Sequence, residues 1–295
     1  MIKVALACIG RLENRYAIEF IEYYKKLEFD HIYIADNNRG DEEHFEEVLQ
    51  PYIDDGYVTI YDYRDIDAIQ GKAYEEMYYR ISDLYDWILF VDFDEYLTLV
   101  DFNNIQGFLS QKKFNNFNQI LFPWRYYTDN NLIYDDGRGC LERFTEISTK
   151  GIDFINETFN GKIETKCMVR TKLSGMMSLV HIFHDKKLIL FTTTCDANGN
   201  DLTEEIYHKE GYMTYYLDIY QNPDYNYAYI KHFTTKTIDE WVNNKRIRGT
   251  ADRSINNFLD YDQQFTLFFR INEMTPEKRQ YLIDHNIDVN SIKCD

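Results

Sequence analysis

The 295-residue sequence predicts an α/β fold: a mostly parallel sheet with helices on both faces, followed by an irregular second half. Three observations predict it. Apolar strand-like runs alternate with amphipathic helical patterns through the first hundred residues. The connections between them are short, as right-handed β–α–β crossovers require. Only 4 Pro and 13 Gly occur and 17% of residues are aromatic, so there is material for a large core and no Pro/Gly-rich linker to divide it.

Each element has its own signal. "KVALACI" reads as a buried strand, and "NRYAIEFIEYYKKLEF" sets Tyr16, Phe20, Tyr23, Tyr24 and Leu27 at helical spacing. "HIYIADNN" is a second strand with a polar end. "DEEHFEEVLQPYID" predicts a second helix, capped by Asp41 and with acids in its first turn. "VTIYDY" is a third strand, "GKAYEEMYYRISDLY" a third helix and "WILFVDF" a fourth strand. Beyond about residue 115, "QILFPWRYY", "KCMVR", "VHIF" and "YAYIKHF" look like strands between polar loops. "TIDEWVNNKRIRG" and "MTPEKRQYLIDH" return to helix, and no internal repeat is visible.

Charge and cysteine usage narrow the function. A net charge of −18 argues against nucleic acid as a partner, because phosphate neutralisation needs clustered cations. A small phosphorylated ligand held by local cations or a metal ion remains compatible with it. Cys8, Cys140, Cys167, Cys195 and Cys294 are odd in number and form no CxxC pair, which fits reduced thiols in a cytoplasm. "MIKVALACIG" meets Arg11 and Glu13 too early for a signal peptide, and no run approaches the roughly 20 apolar residues of a transmembrane span. The expectation is a soluble cytoplasmic protein, with room only for peripheral membrane contact.

In parallel sheets, ligands sit outside the carboxyl ends of the strands. Here "GRLEN", "ADNN" and "DFDE" would line that rim. Asp92, Asp94 and Glu95 follow a buried strand and repel one another, so a positive group is expected among them. If the strand stays extended, Asp92 and Asp94 face one side and can share a hard cation such as Mn²⁺ or Mg²⁺, which would clamp a diphosphate. A solvated turn carrying acids by chance is the plainer alternative. Lys231, Lys236, Lys245, Arg246 and Arg248 form the densest basic stretch and suit a departing diphosphate, against the plain reading of a solvated helix face. His232 beside them is a candidate third metal ligand, or a satisfied structural histidine. His181 and His184 of "HIFH" face opposite sides of a strand and lack a Cys pair, so zinc is rejected.

"RLENRYAIEFIEYYKKLEFDHIYIADNN", "DWILFVDFDEYL" and "IKHFTTKTIDEWVNNKRIRG", in that order from about residue 3 to about residue 250, resemble glycosyltransferases of family 92 and related family-two-like bacterial enzymes. The resemblance implies a GT-A (Rossmann-like) fold over 1–250, with a nucleotide-binding half (1–100) and an acceptor-binding half (101–250). Residues 251–295 would be a C-terminal helical extension that no motif covers. It also implies a metal-dependent hexosyltransferase using Mn²⁺ or Mg²⁺. The donor would be a nucleotide sugar, UDP-linked first, and the acceptor a glycan in surface polysaccharide synthesis.

Carried over by position, the resemblance makes Asp92 and Asp94 the metal and diphosphate motif, Asp94 the firmer ligand and Asp92 nearer the ribose or sugar. Glu13, Asn14, Asp36 and Asn38 would approach the base and ribose, and Gln70 the donor. Lys166 and Arg170 match a basic strand, and His181 and His232 match two histidine positions. Lys236, Lys245, Arg248 and Gly249 match a basic helix and its end. Trp124 would stack on a sugar ring, or else fill the core. "GRGCLERF" supplies Glu142 and Arg143. An inverting transfer needs a carboxylate to deprotonate the acceptor hydroxyl; Glu142 is the candidate, with Asp129, Asp135 and Asp136 as rivals.

Two departures stand out: Glu28 replaces the family's usual glycine, and "WRYY" stands where a Trp–x–x–Phe–Gly type segment is common. Two other functions compete. A haloacid-dehalogenase-type phosphatase also uses D-x-D, but Tyr96 stands where Thr or Val is usual. A non-enzymatic carbohydrate-binding protein explains the aromatic content and not the ordered donor-side motifs.

Overall fold

Strand β1 (Val4–Gly10) is buried along its whole length, as a strand covered on both faces must be. In the computed structural model, residues 2–150, 164–178, 180–185, 192–204, 224–249 and 261–292 are described. After β1 come α1 (Asn14–Lys26), β2 (His31–Asp36), α2 (Glu46–Asp54), β3 (Val58–Asp62), α3 (Gln70–Ile81) and β4 (Trp87–Asp92). Helix α1 buries Tyr16, Ala17, Phe20, Ile21 and Tyr24, one stripe at helical period. β3, β2, β1 and β4 lie side by side in that order, all parallel. Strand order reverses between β1 and β4, which is where a crevice opens in such sheets.

Two expectations are corrected here. Helix α2 begins at Glu46 with Phe45 at its N-cap, so Asp41 caps nothing. The acids before it turn back instead: Glu42 binds the Arg11 guanidinium and Glu43 accepts from the Asn14 amide. Nor does the fourth strand stay extended through "DFD". It ends at Asp92, Phe93 and Asp94 form a turn, and a new strand, β5 (Glu95–Leu99), starts at once.

The second half adds β6 (Gln119–Tyr126), β7 (Thr165–Arg170), β8 (Met176–Ser178), β9 (Phe183–Asp185), β10 (Thr194–Asp196) and β11 (Ala228–His232). "VHIF" becomes strand only from Phe183. The sheet continues past β4 as β7, β6, β11 and β5, with β10 also on β6, while β8 and β9 pair separately. β7 is antiparallel to both β4 and β6, and β5 is antiparallel to β11. Both halves therefore share one sheet and one large core.

A second apolar cluster lies at the chain's end. Thr237 and Glu240 form a capping box that starts a helix at Ile238–Glu240; it widens into a π turn at Trp241–Lys245 and closes as Arg246–Arg248. Ile238, Trp241 and Val242 pack against Phe265, Phe268 and Leu282. Those partners come from the helices Tyr261–Ile271 and Pro276–Asp284, the second capped by Thr275 with proline in its first turn. Residues 251–260 and 293–295 of the expected extension, with Cys294, lie outside the described residues. Among the described residues no helix is long and apolar enough to cross a membrane.

Candidate active site

Register brings the carboxyl ends of the first strands level: Gly10 pairs with Asp36, and Ile9 with Asp92. Gly10 is glycine for a steric reason. A Cβ there would lie 2.5 Å from Phe93 Cδ2 and 2.8 Å from Phe45 Cζ, and those two rings stack with centroids 4.9 Å apart. Pairing of β5 with β11 sets Glu95 opposite His232, and the Phe233 N–H donates to the Asp94 carbonyl at 2.9 Å. "DFDE" and "KHF", far apart in sequence, thus meet at a cavity of about 310 Å³. Arg11, Glu13, Gln70, Trp124, His181, Lys245 and Arg248 are among the residues that line it.

The expected positive groups are side-chain cations. Asp92 is held from below: Gln70 Nε2 and the Tyr74 hydroxyl donate to Oδ1 at 2.6 and 2.7 Å, and Lys166 Nζ to Oδ2 at 2.8 Å. Gln70 and Tyr74 stand one turn apart on α3, which is why both reach the same oxygen. Glu95, fully buried, accepts the Asp92 backbone N–H at 2.8 Å and lies 3.5 Å from Lys166 Nζ. Burial drives the Glu95 carboxyl well above the usual range, with Lys166 opposing. Burial works against the Lys166 charge too, yet Asp92 and Glu95 outweigh it and the ammonium is held charged.

Asp94 sits differently. Its Oδ2 receives Lys245 Nζ at 2.6 Å, and its Oδ1 faces His232 Nε2 at 3.7 Å. Burial pushes its carboxyl up, but Lys245, His232, Lys236 and Arg248 together bring it far below the usual range. Burial, aided by Lys245 and Lys166 and opposed by Asp94, pushes the His232 imidazole down to about 3. The ring is therefore neutral, the form that binds metal. Glu13 is buried yet ionised: burial raises it, while Arg248 at 2.5 Å and Lys236 at 2.9 Å lower it.

These residues fit a divalent ion. A buried carboxylate oxygen and a neutral imidazole nitrogen face each other, and Glu95 Oε1, 4.0 Å from His232 Nε2, has no hydrogen-bond partner. Asp92 is more heavily engaged, with Oδ1 accepting from Gln70 and Tyr74 and Oδ2 from Lys166, which leaves one acceptor site on Oδ2. A further group, Asp36, His44 and Glu46, has donor atoms within 4.8 Å of one another, but Arg64 Nη1 lies 2.6 Å from His44 Nδ1 and already brings a cation there.

Of the residues expected from the sequence, Glu13, Gln70, Asp92, Asp94, Trp124, His181, His232, Lys245, Arg248 and Gly249 come together on the cavity wall. Lys166 and Lys236 lie one layer behind, on Asp92 and Glu13. The remaining expected residues stand elsewhere. Arg170 is at the opposite end of β7, over the Trp87 ring at 4.3 Å and donating to the Phe114 and Phe117 carbonyls. Glu142 is exposed and pairs with Arg138, and its rivals Asp129, Asp135 and Asp136 are bound to Lys278, Arg15 and Arg138. Asn14 donates to the His44 carbonyl. Asn38 ties Asp36 to the Leu12 amide, so Asn37, not Asn38 or Asp36, reaches the cavity.

Sequence reasoning missed Arg11, Arg39, Tyr74 and Trp241 and gave Glu95 no role. The signals were faint: Arg11 sits beside Gly10 at a strand end, and Tyr74 one helical turn after Gln70.

Acids at the β1–β4 switch point with cations from a late helix are the arrangement that the resemblance to GT-A glycosyltransferases implies. The family model for glycosyltransferase family 92 matches residues 6–251, and the chain belongs to that family. Membership of that family favours sugar transfer over the phosphatase and binding-module alternatives.

Among solved structures, Staphylococcus aureus TarS 1–349 in complex with UDP-GlcNAc is 12% identical, with 96% of this chain and 71% of that chain covered and a TM-score of 0.42. GalNAc-T7 with UDP, GalNAc and Mn²⁺ is 12% identical over 58% of this chain and 35% of that one, at a TM-score of 0.33. The chain covers only 23% of another TarS chain and 38% of TarS 1–349 solved with UDP. No curated protein matches the sequence.

Proposed function

We propose that the protein transfers a sugar from a nucleotide-diphosphate donor, UDP-linked, to a glycan acceptor, with a divalent ion held by Asp94 and His232. The observation that carries this reading is the approach of the buried Asp94 carboxyl group to the His232 imidazole, Oδ1 to Nε2 3.7 Å, in a cavity lined by Lys245 and Arg248. An imidazole in the ligand set favours Mn²⁺ over Mg²⁺. The ion, when bound, would neutralise charge on the donor's diphosphate.

The chain's own residues would do the rest. Lys245 and Arg248 would take phosphate oxygens and stabilise charge on the leaving group. Asp92, fixed by three donors, would hold a ribose or sugar hydroxyl in one place. Trp124 and His181, whose rings meet edge-on with centroids 5.2 Å apart on the cavity lining, would face the acceptor. The remaining part of the proposal is a surface polysaccharide acceptor and a cytoplasmic location. The buried free thiols Cys8, Cys140, Cys167 and Cys195 are in keeping with a reducing compartment.

The test is a thermal-shift panel of UDP, GDP and CMP sugars with and without Mn²⁺. Stabilisation that needs UDP-sugar and Mn²⁺ together is expected; equal stabilisation by sugar nucleotide in EDTA would remove the metal from the proposal.

A further inference from the structure

Lys245 occupies the carboxylate that the divalent ion needs. Its Nζ lies 2.6 Å from Asp94 Oδ2, on a side chain only 17% exposed. Arg248, one turn later on the same helix, is committed to Glu13 Oε1 and to the Arg11 carbonyl. Both cations suited to a diphosphate are thus spent on the cavity's own acids. An ammonium on Asp94 cancels the charge that attracts a divalent ion and repels that ion at short range.

On the reading that Asp94 and His232 bind the metal, we propose that Lys245 is a tethered counter-ion that competes with the metal for Asp94 and is drawn off by the donor's diphosphate. Metal and nucleotide then bind cooperatively, each raising the other's affinity by the same factor. The local backbone suits such a shift. Lys245 ends a π turn, a helical distortion that recurs at functional sites, and the helix stops at Gly249 with φ 73° and ψ −153°, a conformation open to glycine.

The experiment measures Mn²⁺ binding by the loss of its free-ion electron paramagnetic resonance signal, using the whole chain with and without UDP. Lys245→Met is expected to bind Mn²⁺ without UDP about tenfold more tightly than the wild type and to gain little more from UDP. Lys245→Arg, which keeps a cation, should behave like the wild type. Lys26→Met, an exposed residue of α1, changes net charge equally and should leave Mn²⁺ binding unmoved. If Lys245→Met binds Mn²⁺ no better than the wild type, or Lys26→Met gains as much, the competition is refuted while the metal reading stands. If the wild type with UDP binds Mn²⁺ no better than Asp94→Asn, the metal reading itself fails and the inference with it.

Discussion

The two sides of the "DFD" turn hold chemically identical side chains in opposite ways. Asp92 ends a core strand, and its charge is answered by Gln70, Tyr74 and Lys166, all fixed in the sheet or in α3. Asp94 is answered by one lysine from a helix at the cavity rim and faces a neutral histidine. A charge balanced from below positions things; a charge balanced from the rim can change partners. Asp92 itself is 29% exposed, but its donors Gln70, Tyr74 and Lys166 are buried, and a satisfied polar network of that kind rigidifies.

If the contrast holds, mutations on the two sides should separate activity from stability. Asp94→Asn should cut metal-dependent donor hydrolysis about 10³-fold and lower the melting temperature less than Lys166→Met does, as UDP release and calorimetry would show. Retained turnover would remove Asp94 from the site. Lys166→Met should do the reverse in emphasis. It strands Asp92 and Glu95 without their buried cation, so about 3–5 kcal/mol of stability is expected to go, read from urea midpoints. An unchanged midpoint would mean that the lower layer does not bear on the fold.

The neutral His232 supplies a pH test. Its folded value of about 3 lies below the ordinary 6.5, so the unfolded chain binds more protons between them. Its contribution is complete above pH 6.5 and is lost as pH falls toward 3. Between pH 7 and pH 5 in EDTA, the urea midpoint of the wild type should therefore drop relative to that of His232→Gln. Tyr74→Phe removes one of three donors to Asp92 and should cost about 1 kcal/mol. Glu142→Gln, outside the cavity, should change turnover by less than about twofold; a large loss would bring Glu142 back as the acceptor's base.

β1, β2 and β4 were legible because burial on both faces writes them as continuous apolar runs, and their polar ends marked the rim; β3, half-buried at the sheet edge, showed in its β-branched and aromatic residues. The turn at Phe93–Asp94 was not, since a sharp reversal without glycine or proline leaves no local sign. Lys166 and Arg170 show a second limit. Four apart on one strand, they share a face, and periodicity cannot say which is nearer the site. Antiparallel pairing decides it: Arg170 stands opposite Trp87, where β4 begins, so Lys166 falls beside its acidic end. His232 likewise reaches Asp94 only through the register of β11 on β5, a long-range fact that no window of sequence contains. On the donor side, the acids and the basic helix could be read because charge stood out against their surroundings. Glu42 and Glu43 could not, because their partners, Arg11 and the Asn14 amide, lie about thirty residues earlier.

The family pattern stops at residue 251, yet Trp241 and Val242, on the turn that carries Lys245, lean on Phe265, Phe268 and Leu282 beyond that limit. A boundary drawn where the recognisable motifs end would cut through a packed interior. An expression clone trimmed there would keep its large sheet and lose the backing behind Lys245 and Arg248. Such a clone would be a folded protein with a slack grip on its donor.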